Sequence, residues 1–181
     1  MGKEGRGGAA LPRRRAVGKA LRVGDDISTD HIIPGRFANL RSNLPELAKH
    51  ALEDTYPSFA QKARPGDFLV AGKNFGLGSS REHAAIVLKM AGIRAVLASS
   101  SARIFFRNAI NVGLPVLITD TAAIDEGDEL EVDWSAGQVK DLTKGIELSF
   151  GRIPPVMLKI LEEGGLVPFI QKHKELELPG G

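Results

Sequence analysis

The chain has 181 residues, of which 43% are hydrophobic and 25% charged, a balance typical of a folded globular protein. This composition excludes collagen-like and largely disordered classes, and no apolar run approaches the ~18 residues of a membrane-spanning helix. Because there is no cysteine, the chain forms no disulfide, no thiolate zinc site and no iron–sulfur cluster on its own sulfur. We expect a cytoplasmic protein, since the N-terminus lacks the apolar segment of a secretion signal.

The net charge of +2 is unevenly distributed along the chain. Residues 1–22 carry a net charge of +6, which leaves −4 for the rest. We expect residues 1–16 to form a disordered, basic tail rich in glycine and arginine, 17–170 to form one domain, and 171–181 to form a C-terminal tail. An RNA-binding arm and a transit peptide are alternatives for the basic tail, although it lacks interleaved aromatic residues and an amphipathic period.

From residue 16 onward, short apolar runs typical of strands alternate with helical patterns, which predicts an α/β domain. Three strand–helix alternations in the middle of the chain predict parallel strands there. The predicted strands are Ala16–Val23, Phe68–Ala71, Ile93–Ala98 and Leu114–Ile118, and the predicted helices are Leu44–Leu52, Arg81–Ala91 and Ala102–Asn111.

The last third of the chain has a different pattern. Glu129–Trp134 and Ile146–Phe150 both alternate between apolar and polar residues, and the turn-like residues 135–138 lie between them. This pattern predicts an antiparallel meander. A final helix is predicted at roughly residues 155–163, where two prolines open it and two glycines close it.

A glycine-rich segment from Gly72 to His83, which reads GKNFGLGSSREH, runs from a predicted strand into a predicted helix. Ser79 and Glu82 have the spacing of a capping box, and Arg81 adds a planar set of donors. A helix N-terminus with such donors attracts a carboxylate or a phosphate. The glycines do not fit the known nucleotide-binding fingerprints, so a small anion is the better candidate ligand. The alternative is that the glycines only turn the chain and a serine only caps the helix.

A second polar segment, from Gly24 to Gly35, reads GDDISTDHIIPG and crowds three carboxylates and a histidine after the first strand. Aspartate and serine are common in turns, so each residue alone has a structural explanation. The cluster as a whole favours catalysis over passive anion capture, because carboxylates repel an anion.

These segments resemble the swivelling domain of the aconitase superfamily, in the free-standing form found as the small subunit of 3-isopropylmalate dehydratases. The resemblance covers about residues 17–170 and rests on GDDISTDHI at 24–32, GLGSSREHA at 76–84, and ARIF at 102–105 with Asn108. It implies an α/β fold, a swivelling β/β/α domain with a mixed β core flanked by helices. It also implies a large-subunit partner whose three cysteines hold a [4Fe-4S] cluster, so that this chain binds no metal itself.

The resemblance also implies a role for individual residues. Ser79 is similar to the serine whose alkoxide removes a proton from carbon, and Arg81 to the arginine that holds a substrate carboxylate. Asp30 resembles the acid beside the site, where it orients groups or aids proton transfer. Ser80 matches the motif as a substrate-binding residue or as a purely structural one.

Arg41 bears on the choice of substrate. With a one-residue gap it falls where aconitase and homoaconitase place an arginine against a distal carboxylate, whereas isopropylmalate enzymes usually have apolar residues there. A guanidinium matches a carboxylate better than an isopropyl group. Alternatively, Arg41 points to solvent.

The resemblance therefore implies a two-subunit hydro-lyase that isomerises 2-isopropylmalate and 3-isopropylmalate in leucine biosynthesis. The first alternative is a homoaconitase or a related tricarboxylate hydro-lyase. An alternative of another class is a non-catalytic module that binds a small anion. We expect a small hydroxy acid as substrate and neither nucleic acid nor a membrane as partner.

Overall fold

The computed structural model describes residues 15–79 and 81–173. Within them, seven strands form one mixed sheet in the order β4-β3-β2-β1-β5-β6-β7, where the strands are β1 (Arg15–Arg22), β2 (Phe68–Ala71), β3 (Ala95–Ala98), β4 (Val116–Ile118), β5 (Glu129–Asp133), β6 (Gln138–Asp141) and β7 (Ile146–Ser149). The expected mixed β core is confirmed.

Helices flank this sheet. In chain order they are α1 (Thr29–Ile32), a 3-10 helix (Gly35–Leu40), α2 (Leu44–Ala48), α3 (Phe59–Lys62), α4 (Glu82–Met90), α5 (Arg103–Asn111), α6 (Pro155–Glu162) and α7 (Leu166–Lys172). Most of the two predicted tails lies outside the described residues.

Strand β1 belongs to both halves of the sheet. Its last residues pair in parallel with β2, with Ala20 opposite Phe68, whereas its first residues pair antiparallel with β5, with Arg15 opposite Asp133. Strands β2, β3 and β4 are parallel, as the strand–helix alternation predicts. Strands β5, β6 and β7 form the predicted meander, but β6, which begins at Gln138 where the predicted turn ends, was not itself predicted.

The central strands are buried on both faces. In β2, Leu69 and Ala71 belong to one hydrophobic core, and Phe68 and Val70 belong to a second core on the other face. Helix α4 packs into the first core, whereas Leu161 of α6 packs into the second. Continuous apolar runs are what such doubly covered parallel strands require.

The helix predicted at Leu44–Leu52 is shorter than its apolar pattern. Helix α2 is capped by Asn43 and ends at Ala48, and Leu52 has a left-handed backbone with φ of 55°. Ala51 and Leu52 are nevertheless buried. The apolar spacing therefore marks the buried side of this segment rather than a continuous helix. Helix α7, which follows the two glycines after α6, was not predicted.

Lys89 joins the ends of two other helices. Its ammonium group donates to the carbonyl of Val112, after α5, at 2.9 Å and to the carbonyl of Gly164, after α6, at 3.2 Å. Burial lowers the pKa of Lys89. The two carbonyl partners compensate the half-buried ammonium, and the contact holds the ends of α5 and α6 against α4.

Candidate active site

Three loops meet where β1, β2 and β3 end. Two hydrogen bonds join the loop after β2 to the loop after β1. Gly76 N donates to the carbonyl of Ile27 at 2.6 Å, and Thr29 N donates to the carbonyl of Leu77 at 2.9 Å. The loop after β2 also donates from Phe75 N to the carbonyl of Ser100, after β3, at 3.1 Å. The carboxyl ends of parallel strands lie on one edge of a sheet and are the usual place for a ligand. The two motif segments of the sequence therefore form one site.

The first two carboxylates of the GDDISTDHI segment hold the loops together. Asp25 accepts a hydrogen bond from Lys73 N at 2.8 Å, and Asp26 accepts one from the side-chain amide of Asn74 at 2.8 Å. Both aspartates are thus structural, and Asp30 is the carboxylate left to serve the site.

Helix α1 is set by a capping box. Ser28 Oγ accepts from His31 N at 3.2 Å, and Ser28 N donates to His31 Nδ1 at 2.9 Å. Since Nδ1 is an acceptor here, the neutral imidazole carries its proton on Nε2. The helix then directs Thr29 into the protein, with 2% exposure, and leaves Asp30 exposed.

Two glycines bring the loop after β2 close to its neighbours. Gly76 has φ of 78°, and a Cβ there would lie 2.2 Å from Phe105 Cγ. Gly78 has φ of 106°, and its Cβ would lie 3.3 Å from Thr29 Oγ1. A left-handed backbone and this close packing both require glycine.

The predicted catalytic residues lie together at this edge. Ser79 is exposed, and its Oγ is 3.2 Å from Thr29 Oγ1. Arg81 Nη1 is 3.4 Å from Asp30 Oδ1, and the two side chains are 30% and 69% exposed. Arg81 Nη1 is itself buried and has no hydrogen bond within the described residues. Because the contact is long and Asp30 is largely exposed, the ion pair is weak, and it orients Arg81 without occupying all of its donors.

The predicted capping box between Ser79 and Glu82 is wrong. Arg81 is the N-cap of α4, and no described side chain caps this helix. Arg81 N donates to the carbonyl of Ser79 at 2.9 Å, and this tight turn places Ser79 ahead of the helix end. The Ser79 hydroxyl contacts Thr29 instead. Ser80, predicted to bind substrate, lies outside the described residues.

The two arginines of the loop after α1 differ in their partners. Arg36 donates to Asp54 at 2.6 Å and to Glu53 at 3.1 Å, and the hydrogen bonds with Asp54 raise the pKa of Arg36. Arg41 is exposed at the end of the 3-10 helix, where its backbone N–H donates to the carbonyl of Ala38 at 3.4 Å, and its guanidinium has no hydrogen bond or ion pair within the described part of the chain. The structure therefore does not join Arg41 to Ser79 or Arg81, and it leaves its guanidinium available.

The donor set of this chain does not fit an iron–sulfur cluster. There is no cysteine in the sequence, and residues 15–79 and 81–173 contain no group of three or more histidine, aspartate or glutamate side chains that could hold a metal. Among the described helices, none is long and apolar enough to cross a membrane.

Thr29 is the residue of the site that the sequence did not reveal. It lies 50 positions from Ser79 in the chain, and threonine at the start of a helix has many ordinary roles. Its position directly before Asp30 in a polar segment is the only sequence signal that pointed to it.

The loops at the carboxyl ends of the strands bring together a serine, an arginine and an aspartate on a mixed sheet, the arrangement that the resemblance to a swivelling domain of the aconitase type implies. The sequence model of the aconitase C-terminal domain matches residues 30–121. The chain belongs to this family, and within it to the small subunits of the 3-isopropylmalate dehydratase group.

The similar proteins cover nearly the whole chain. The 3-isopropylmalate dehydratase small subunit 2 of Archaeoglobus fulgidus is 65% identical, over 91% of this chain and 99% of its own length. The methanogen homoaconitase small subunit of Methanothermobacter thermautotrophicus is 51% identical, over 90% and 95%. A crystal structure of 3-isopropylmalate dehydratase from Methanocaldococcus jannaschii has a TM-score of 0.85 and 42% identity, over 92% and 99%.

Proposed function

We propose that this chain is the small subunit of a two-subunit hydro-lyase that interconverts 2-isopropylmalate and 3-isopropylmalate through loss and return of water. This reaction is a step of leucine biosynthesis. The observation that carries the proposal is the meeting of Ser79, Arg81 and Asp30 on one edge of the sheet, in a chain whose relatives bear this enzyme's name.

In this proposal Ser79 is the base. Ser79 is exposed, and therefore open to a substrate, while its carbonyl accepts from Arg81 N and its Oγ contacts Thr29 Oγ1. A base needs both reach to the substrate proton and a defined geometry. The ionised Ser79 Oγ takes the proton from the substrate carbon, the electron pair of the C–H bond forms the double bond, and the hydroxyl on the neighbouring carbon leaves with the electrons of its C–O bond toward the face that the large subunit would cover, where the cluster would supply a Lewis acid.

Arg81 holds a carboxylate of the substrate. A guanidinium has five N–H donors, and Asp30 faces only Nη1, at 3.4 Å. The remaining donors can form a bidentate pair with a substrate carboxylate. Asp30 acts through Arg81 by fixing the direction of its planar group.

The site needs a second wall. Ser79 and Asp30 both face solvent, and an open site cannot exclude water from a reaction that adds and removes it. We propose that a large subunit covers this edge and holds the [4Fe-4S] cluster, since the donors of this chain do not fit one. The cytoplasm is the proposed compartment.

A homoaconitase or a related tricarboxylate hydro-lyase is the second candidate. The observation that favours it is Arg41, an exposed cation with no partner among the described residues and therefore free to pair with a third carboxylate. A relative that bears the homoaconitase name is also similar over most of the chain.

The test is co-expression with a candidate large subunit, anaerobic purification of the complex, and kcat/KM for 3-isopropylmalate and homoaconitate. We expect turnover of 3-isopropylmalate that is lost in the Ser79→Ala complex. A higher kcat/KM for homoaconitate would support the second candidate. If the complex keeps its iron and binds both compounds but converts neither, the chain is an anion-binding module instead.

A further inference from the structure

We propose that Thr29 is a positioning residue whose hydroxyl holds Ser79 Oγ in place and donates a hydrogen bond to it once Ser79 has lost its proton. This inference rests on the proposed role of Ser79 as the base. It assigns a residue of the loop after β1 a role in the chemistry of Ser79, which lies in the loop after β2.

The backbone of Thr29 is fixed on both sides. Thr29 N donates to the carbonyl of Leu77 at 2.9 Å, and the carbonyl of Thr29 accepts from Ile33 N at 2.9 Å. The side chain is 2% exposed and β-branched, so its rotamer is restricted. Thr29 Oγ1 therefore occupies a defined position under the loop that carries Ser79.

The hydroxyl of Thr29 is directed at Ser79. Among the described residues, Ser79 Oγ is the hydrogen-bond partner of Thr29 Oγ1. A buried hydroxyl without a partner is costly, so the pair also gains stability from this contact. Gly78 contributes by its lack of a side chain, since a Cβ there would lie 3.3 Å from Thr29 Oγ1.

The chemistry follows from the direction of the hydrogen bond. Either hydroxyl can donate while both are neutral, but an ionised Ser79 can only accept, so Thr29 must then be the donor. A hydrogen bond to the charged form favours that form. The separation of 3.2 Å is longer than the usual ~2.7–2.8 Å for two hydroxyls, and catalytic hydrogen bonds often shorten when substrate binds.

The experiment compares Thr29→Val with Thr29→Ser in the complex with the large subunit, using 3-isopropylmalate and homoaconitate as substrates. Valine keeps the shape and removes the hydroxyl, whereas serine keeps the hydroxyl. We expect Thr29→Val to lower kcat on the order of 10-fold or more with little change in KM, because loss of one donor to an oxyanion can cost ~10²–10³ in kcat. The acid limb of its kcat profile should also move to higher pH, and Thr29→Ser should restore both.

The control is Thr121→Val. Thr121 is also fully buried, and its hydroxyl donates to the carbonyl of Ala71 at 2.7 Å, outside the proposed machinery. Its variant should lose stability but keep kcat and the pH profile. If Thr29→Val does not fold, Thr29→Ala removes the same hydroxyl and places a smaller side chain in the buried position.

A second readout does not need activity. Crystal structures of the isolated chain should show one Ser79 rotamer in the parent and in Thr29→Ser, and several in Thr29→Val. Wild-type kcat and pH profile in Thr29→Val, or equal losses in Thr29→Ser and Thr29→Val, would overturn the role of Thr29. If Ser79→Ala itself keeps wild-type kcat, the base assignment falls first, which separates the two failures.

Discussion

Ser79 and Arg81 share one loop but have different surroundings. Ser79 is exposed and contacts a buried hydroxyl, whereas Arg81 is 30% exposed and faces a carboxylate. A hydroxyl that removes a proton acts only in the chemical step, while a guanidinium that holds a carboxylate also acts in binding. The two residues should therefore differ in their kinetic effects.

We expect Ser79→Ala to lower kcat by about 10²-fold or more with a modest change in KM, because a positioned base contributes ~10²–10⁴ to the rate. Arg81→Lys keeps the charge and loses the planar set of donors, so its KM should rise as well. Steady-state kinetics of the assembled enzyme provide the measurement. Equal kcat in Ser79→Ala and the parent would exclude Ser79 as the base.

A substitution of Arg41 tests which of the two candidate substrates the enzyme prefers. If its guanidinium pairs with a distal carboxylate, Arg41→Val should weaken binding of the transition state for homoaconitate by about 2–4 kcal/mol, the loss expected for a broken buried pair. The kcat/KM for isopropylmalate should be unchanged or improved. The ratio of the two kcat/KM values is the measurement. Arg36→Gln is the matched control, because Asp54 and Glu53 already balance Arg36. An unaltered ratio in Arg41→Val would identify Arg41 as a solvent-facing residue.

At the scale of elements, the site depends on how closely the loop after β2 packs on its neighbours. Gly76 lies against Phe105, whose ring meets Phe75 edge to face at 5.1 Å. The loop thus rests on α5 as well as on the loop after β1. A side chain at Gly76 would separate these elements.

We expect Gly76→Ala to destabilise the isolated chain more than Gly127→Ala. Both glycines have a left-handed backbone, with φ of 78° and 82°, but nothing lies within 4 Å of a Cβ at Gly127. Each variant should lose about 1 kcal/mol from the backbone, and Gly76→Ala a further ~1–3 kcal/mol from the clash with Phe105. Urea denaturation gives the two values. Equal losses would contradict the close packing at Gly76.

The sequence predicted those elements whose pattern depends on local burial. The central strands were predicted because burial of both faces produces a continuous apolar run, as at Phe68–Ala71. Helices α4 and α5 were predicted because a glycine follows the end of each apolar helical pattern. Strand β6 was missed because its neighbours are turn-like and because one of its two buried positions is occupied by a charged residue, Asp141. Ser79 contacts Thr29 rather than capping α4 because two distant loops meet there, and spacing along the chain does not determine how they meet.

At the scale of the whole molecule, the proposed division between two subunits leads to a prediction for the isolated chain. We expect the purified chain to contain no iron and to have no hydro-lyase activity, because its sequence has no cysteine and the edge that carries the proposed catalytic residues is exposed. Metal analysis and an anaerobic activity assay, before and after addition of the large subunit, provide the measurement. Turnover with bound iron in the isolated chain would contradict the division between two subunits.

Strand β1 also has a consequence for how the chain folds. It is synthesised first among the strands, yet Arg15 pairs with Asp133, 118 positions away, and Ala20 pairs with Phe68. Contacts between such distant residues form slowly, because the intervening chain loses entropy when they close. Both edges of β1 therefore stay unpaired during much of synthesis, and unpaired edges associate with other chains. Slow translation or a break before β5 should thus lead to aggregation of this protein rather than to a stable fragment.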